Sequence, residues 1–287
     1  MQQRPTTIED YHERVNRLVE YINNHLEENI DLGVLAVMSG FSPWHFHRIT
    51  KAFLGEPIGA FIVRMRMEAA ARLLRYSVLP IGEIAYRIGY DVPSSLSKSF
   101  KRFYGISPKE YRINKDYTIM KPVELRPELD VEAEVKELQS FRVVYVRLTG
   151  GYSNNDYCAA WNKLYGYMAA NRLDMSDVEH ICVYHNDPKV TPGDKLRTDV
   201  CLSVLQDVSP VGEIGTKVIE GGKYAVFRYK GYYENLSSVY DTIYACWLPE
   251  LGYSLRNIPG YEKYLNHPGN TKPEDLLTEI YIPCLLY

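Results

Sequence analysis

The feature that most constrains this chain is a pattern that occurs twice in its first 115 residues. Ala36-x-x-x-Gly40-Phe41 returns as Ala85-x-x-x-Gly89-Tyr90, and Phe46, Arg48, Phe53 and Gly55 return as Leu96, Lys98, Phe103 and Gly105. Each copy reads as a helix, a sharp turn at glycine and a second helix. Glycine takes the left-handed conformation after a helix end at little cost. Pro43 and Pro93 open the second helices, where a missing N–H is harmless, and Ser42 is a good N-cap. Helical spacing turns Phe46, Ile49 and Phe53 inward in the first copy, and Leu96, Phe100 and Phe103 inward in the second. The outward sets are Trp44, His47, Arg48 and Lys51, then Ser94, Ser97, Lys98 and Lys101. Between the copies, residues 57–77 read as one helix, with Ile58, Phe61, Ile62, Met65, Ala69, Leu73 and Leu74 near a 3.6 period. About 20 helical residues span about 30 Å. Two second helices held that far apart match successive major-groove segments of a DNA duplex, about 34 Å apart.

The first half closely resembles the DNA-binding domain of the AraC family of transcription regulators. The resemblance is carried by SGFSPWHFHRITKAFLGEPIGAFIVRMRMEAAARLL (residues 39–74) and IGEIAYRIGYDVPSSLSKSFKRFYGISPKEYR (residues 81–112), and it covers residues 8–113. It joins both motifs, the linking helix and a terminal SP-x-x-YR. It implies that a monomer engages an asymmetric DNA site through both helices. By position, Trp44, His47 and Arg48 fall where the family reads bases in one groove, and Ser94, Ser97 and Lys98 in the next. Two hydroxyls and a lysine offer no planar bidentate fork. The first helix is therefore expected to carry most base discrimination, and the second mostly backbone contact.

A chain of 287 residues suits about two domains. Its net charge of −3 alone argues against nucleic acid. The charge is unevenly placed, however. Residues 1–115 hold 16 lysines and arginines against 12 acids, and the remainder holds 17 against 24. A basic reader joined to an acidic sensor fits that split, and the acidic half is repelled by DNA. No leader, lipidation motif or membrane-length apolar run is read in the sequence, so a cytoplasmic location is expected. Cys158, Cys182, Cys201, Cys246 and Cys284 are odd in number and lack ligand spacing. They read as buried free thiols, and no metal or cofactor is expected.

Pro122 and Pro127 mark a linker, which divides the chain into a reader (1–115), a linker (116–130) and a second domain (131–287). The second domain is itself duplicated. Tyr145-Val-Arg-Leu-Thr-Gly150 returns as Val226-Phe-Arg-Tyr-Lys-Gly231, and Thr198-Asp-Val-Cys-Leu returns as Thr278-Glu-Ile-Tyr-Ile. Two units of β-hairpin, helix and strand related by a pseudo-two-fold give one antiparallel sheet with both helices on one face. The expected fold is thus multidomain, all-α followed by α+β. Strand alternation puts Val144, Val146, Leu148, Val200, Leu202, Phe227, Tyr229, Ile280 and Ile282 beneath the helices. Tyr145, Arg147, Asp199, Cys201, Arg228, Glu279 and Tyr281 then share the other face. Two arginines, two acids and aromatic rings do not read as a core there; they read as a solvated surface or a ligand groove.

Residues 131–287 resemble the GyrI-like effector-binding domain, most closely through WLPELGYSLRNIPGYEKYLNHPGNTKPEDLLTEIYIPCL (residues 247–285). Rob-like regulators carry the same two domains in the same order. The resemblance implies that an acid in the last strand, matching Glu279, meets a cationic or polar ligand in an aromatic pocket. Tyr281, Tyr145, Arg147 and Arg228 are expected around it. A carboxylate among tyrosine rings attracts a delocalised cation by charge and by cation–π contact. If an arginine pairs with Glu279, that attraction falls. The main expectation is a ligand-responsive transcription regulator and not an enzyme, with RNA polymerase open as a further partner and the oligomeric state left open. The alternatives are a small-molecule hydrolase activity in the second domain, or a protein-interaction module.

Overall fold

In a computed structural model, residues 7–129, 131–248 and 253–286 are described. The chain divides into two compact units, Met1–Ile119 with Pro210–Gly215, and Met120–Ser209 with Thr216–Tyr287.

The first unit holds seven helices among its described residues: α1 (Thr7–Asn24), α2 (Leu32–Ser39), α3 (Pro43–Leu54), α4 (Ile58–Tyr76), α5 (Ile81–Arg87), α6 (Pro93–Tyr104) and α7 (Pro108–Ile113). Their ends follow local chemistry. Asp31 caps α2 by accepting from the Gly33 and Val34 N–H groups, and Ser42 caps α3 by accepting from His45 N–H. Ser107 and Glu110 form a reciprocal capping box on α7. Gly40, Gly55 and Gly105 end α2, α3 and α6 in the left-handed conformation. The core gathers Leu18, Ile22, Leu35, Phe46, Ile58 and Phe61 around the linking helix α4. Within α4 the buried Arg64 guanidinium is held by Glu56 at 2.7 Å and Glu68 at 2.8 Å, so its charge is matched where water is excluded.

Gly89 turns the chain at φ +78°. A Cβ there would stand 2.5 Å from the Leu26 carbonyl oxygen and 2.5 Å from Arg66 Nη2. Arg66 of α4 donates to the Leu26 and Glu28 carbonyls beyond α1, at 3.1 and 2.6 Å. Glycine thus lets the second motif pack against the turn that leads into the first.

The second unit is built on β1 (Val131–Leu138), β2 (Phe141–Thr149), α8 (Tyr157–Ala170), β3 (His180–Tyr184), β4 (Arg197–Val204), β5 (Ile214–Ile219), β6 (Gly222–Lys230), α9 (Leu236–Thr242), β7 (Tyr253–Leu255), β8 (Tyr261–Tyr264) and β9 (Leu277–Leu286). A π-helical turn, Ile243–Trp247, continues α9. The strands lie in the order β1-β6-β9-β8-β3-β4-β2-β5, with β7 paired to β9 beside that path. Reversal about the β8–β3 pair maps the order onto itself, which is the expected pseudo-two-fold.

Two features differ from the sequence reading. The expected hairpins do not form. β1 pairs with β6 of the other repeat, and β5 lies beside β2. The link between β1 and β2 is Gln139-Ser140, which lacks the glycine or asparagine that a two-residue hairpin turn demands. The second difference follows. β1 and β2 stand two residues apart in sequence but near opposite ends of the strand order, so the sheet must curl until its ends approach. Gly221 N–H donates to Ser140 Oγ at 2.9 Å where the two links meet. The face expected to be a surface or groove is therefore the inside of a curl. Val143, Tyr145, Ile181, Val183, Cys201, Tyr224, Val226, Tyr261 and Tyr281 form a buried core there.

Candidate functional site

Helices α3 and α6 carry the DNA-reading candidates. His47, Arg48 and Lys51 are exposed on α3, beside the buried Phe46. Trp44 lies in α3, but its side chain is outside the described residues. On α6, Ser94, Lys98 and Lys101 are exposed, and Arg102 joins them. Ser97 is half-buried and donates its hydroxyl hydrogen to the Pro93 carbonyl at 3.1 Å, which spends its donor inside the helix. The inward face of α6 is Leu96, Phe100 and Tyr104; Phe103, expected inward, is 42 % exposed. The i, i+4, i+8 row wins because Tyr104 packs edge-on against Phe100.

Of the effector candidates that the sequence points to, Tyr145, Arg147, Glu279 and Tyr281 sit inside the curl, while Arg228 is exposed. Arg147 holds Asp199 in a fork, with two N–H groups at 2.7 Å, and His185 Nε2 and Lys217 close on the same carboxylate. Burial alone would raise the Asp199 pKa, but Arg147, Lys217 and His185 hold it well below the usual carboxylate range. Arg147 and Lys217 also lie over the Tyr145 ring, at 5.2 and 4.9 Å. At the other end, Arg228 donates to Glu279 at 2.7 Å and Tyr281 donates to the same carboxylate at 2.7 Å. Against the effect of burial, these donors hold Glu279 below its ordinary value. Arg147 is thus grouped with Asp199 and Tyr145, and Arg228 with Glu279 and Tyr281. Both carboxylates are engaged by cations.

On the opposite, helix-bearing face a carboxylate sits in a different setting. Glu262, in the centre of β8, is 2 % exposed. Tyr264 donates to it at 2.7 Å, and Tyr184 and Tyr264 meet hydroxyl to hydroxyl at 3.1 Å. Tyr152 packs edge-on against Tyr184, and Tyr233 against Tyr264. Tyr240 of α9 stacks near Tyr244 of the π-turn, at 6.3 Å between centroids. Burial pushes the Glu262 carboxyl up to about 7, and the hydroxyls of Tyr264, Tyr240 and Tyr184 draw it only partly back. Burial also raises Tyr184, Tyr233, Tyr240 and Tyr264, and each feels the Glu262 charge. Among the described residues, no lysine, arginine or histidine forms an ion pair with Glu262.

The helix that carries Tyr240 also holds the segment leading into the sheet. Asp241 accepts Glu124 N–H at 2.8 Å and pairs with Lys189 at 2.9 Å. Thr242 accepts Arg126 N–H at 2.8 Å. Among the described residues no cluster of His, Cys, Asp and Glu could hold a metal, and no helix is long and apolar enough to cross a membrane.

A family described as the GyrI-like small molecule binding domain matches residues 132–285, and a helix-turn-helix domain family matches residues 35–114. Over its whole length the chain is similar to the transcriptional regulator Rob of Salmonella typhimurium, with 22 % identity across 94 % of this chain and 97 % of that one. Its helical unit is similar to the transcriptional activator AarP of Providencia stuartii, with 32 % identity across 35 % of this chain and 74 % of that one. Among solved structures, the EcmrR C-terminal domain matches 55 % of this chain and 99 % of its own, at 20 % identity and a TM-score of 0.45.

Proposed function

We propose, for a chain that belongs to the GyrI-like small molecule binding domain family and carries an AraC-type DNA-binding domain ahead of it, that an organic cation held against Glu262 is the effector of a DNA-binding transcription regulator. One observation carries this reading: a fully buried carboxylate walled by tyrosines, with no basic partner among the described residues. Burying an unpaired charge is costly, and in this tyrosine cage the cost is met by keeping the carboxyl protonated near neutrality. A flat cation supplies the missing counter-charge and offers its rings to the tyrosine faces. Glu279, the acid favoured by the sequence, is less suited because Arg228 already neutralises it.

On the DNA side, α3 is the base-reading helix. His47 and Arg48 present donors suited to base edges, whereas the exposed polar set of α6 suits phosphates. A monomer suffices, because one chain carries both helices. RNA polymerase fits as a further partner of a regulator bound in this way.

The decisive experiment titrates N-methylquinolinium into wild type, Glu262→Gln and Glu279→Gln. Binding lost in Glu262→Gln and kept in Glu279→Gln supports the cage; the reverse pattern returns the site to Glu279. A carboxyl near 7 beside tyrosine donors is also acid–base equipment. Turnover of a bound electrophile that disappears in Glu262→Gln would favour hydrolysis.

A further inference from the structure

The geometry points to Cys182 as the residue that fixes the floor of the cage at one negative charge, and so selects a singly charged organic cation over a dication. This rests on the cage reading above and deepens it. The duplication aligns Cys182-Val-Tyr184 with Glu262-Lys-Tyr264 at the same 80-residue offset that aligns Thr198-Asp199 with Thr278-Glu279. Strands β3 and β8 lie side by side at the pseudo-two-fold, and Cys182 is the direct antiparallel partner of Glu262. Directly paired residues share a face, with Cβ atoms about 5 Å apart. Around this axis the tyrosines obey the symmetry: Tyr184 and Tyr264 are repeat mates, and their hydroxyls meet at 3.1 Å. The floor does not. Where one repeat has a carboxylate, the other has a thiol.

That thiol is 1 % exposed. Burial and the Glu262 charge push it well above its ordinary value, and the tyrosine hydroxyls offset this only in part, so it stays neutral at neutral pH. An acid at position 182 would place two like charges about 5 Å apart, an arrangement that only a doubly charged ligand fully relieves. With the thiol, a monocation leaves the cage neutral. A dication would leave one buried positive charge unmatched, which disfavours it by at least about tenfold. The thiol also gives a ring a polarisable, apolar contact.

The test measures dissociation constants of N-methylquinolinium, a flat monocation, and methyl viologen, a flat dication, for the full chain and for Cys182→Ser, Cys182→Asp and Glu262→Gln. Wild type and Cys182→Ser should both prefer the monocation by about tenfold or more. Cys182→Asp should erase or reverse that preference. Equal affinity for both cations in wild type overturns the proposal even if Cys182→Asp fails to fold, as does a Cys182→Asp protein that folds and keeps the wild-type ratio. If wild type binds neither cation, or Glu262→Gln binds both unchanged, the cage reading fails and this inference falls with it. A ratio independent of residue 182 with binding dependent on Glu262 sinks only this inference.

Discussion

Arg228 donates to Glu279 at 2.7 Å, and the pair lies on the sheet face that turns away from α8 and α9. The guanidinium is half exposed and the carboxylate nearly buried, so the pair closes that carboxylate to a second cation without closing the surface around it. Glu279→Gln is therefore expected to leave cation affinity within about twofold. Glu262→Gln is expected to weaken it by about 10- to 100-fold, the usual size of a charge-assisted contact. Fluorescence titration of both variants side by side checks this.

The cage should read pH. Glu262 titrates near 7 when folded, against 4.5 for the free group. Its folded value is raised, so its contribution to stability is fully present below about 4.5 and is lost as pH rises through 7. The loss is about 3 kcal/mol for a group this buried. The groups that face it are Cys182, Tyr184, Tyr233, Tyr240 and Tyr264, none of which titrates in that window. Thermal melts from pH 5 to 8 should show wild type losing ground to Glu262→Gln as pH rises. A monocation should bind more tightly over the same range and release protons on binding below pH 7.

On DNA, Arg48→Ala should cost about 1–3 kcal/mol on a specific site and relax base preference there. Lys98→Ala should weaken specific and random DNA alike and lower the salt slope by about one. Fluorescence anisotropy across a salt series separates the two; equal losses for Arg48→Ala on both DNAs refute its reading role.

Gly89→Ala tests the packing of the two motifs. A methyl there meets the Leu26 carbonyl and Arg66 and must also accept a φ of +78°. The expected cost is on the order of 2 kcal/mol or more, seen as a lower Tm with ligand affinity of the second unit unchanged.

Asp241 and Thr242 hold the Glu124 and Arg126 amides, next to Tyr240 of the cage. Those two amides should exchange slowly with solvent despite lying in a linker. Asp241→Ala should speed exchange at Glu124 in particular, and hydrogen-exchange mass spectrometry would detect it.

Much of this was legible in the sequence. Ser42, Pro43 and Gly40 mark their helix ends by type alone, and the repeat of Thr198-Asp199 as Thr278-Glu279 predicts the pseudo-two-fold. The sequence alone does not single out Glu262, although Tyr261-Glu262-Lys263-Tyr264 stands in the stretch that resembles the family most closely. Strand alternation separates a wet face from a dry one, and a curled sheet with helices outside has two dry faces, so alternation alone does not distinguish the face that bears Glu279 from the face that bears Glu262. The 80-residue offset was the available signal, since it aligns Glu262 with Cys182 and sets both on the axis. Helical spacing alone places Phe103 inward, because a three-residue and a four-residue step are equally helical; packing against Phe100 decides for Tyr104.

The exchange of first strands between repeats makes each half of the sheet depend on the other. Val131 pairs with Tyr229, 98 positions later, so β1 has no neighbour until the second repeat exists. Neither repeat can be cut out and kept as a half-size domain, because each would surrender an edge strand and expose a sheet margin open to strangers. The helical unit, rich in local contacts, can form early, while the sheet waits on distant pairings. The traded pairing is carried by backbone, so it binds the halves together while leaving their side chains free to differ, a thiol here and a carboxylate there.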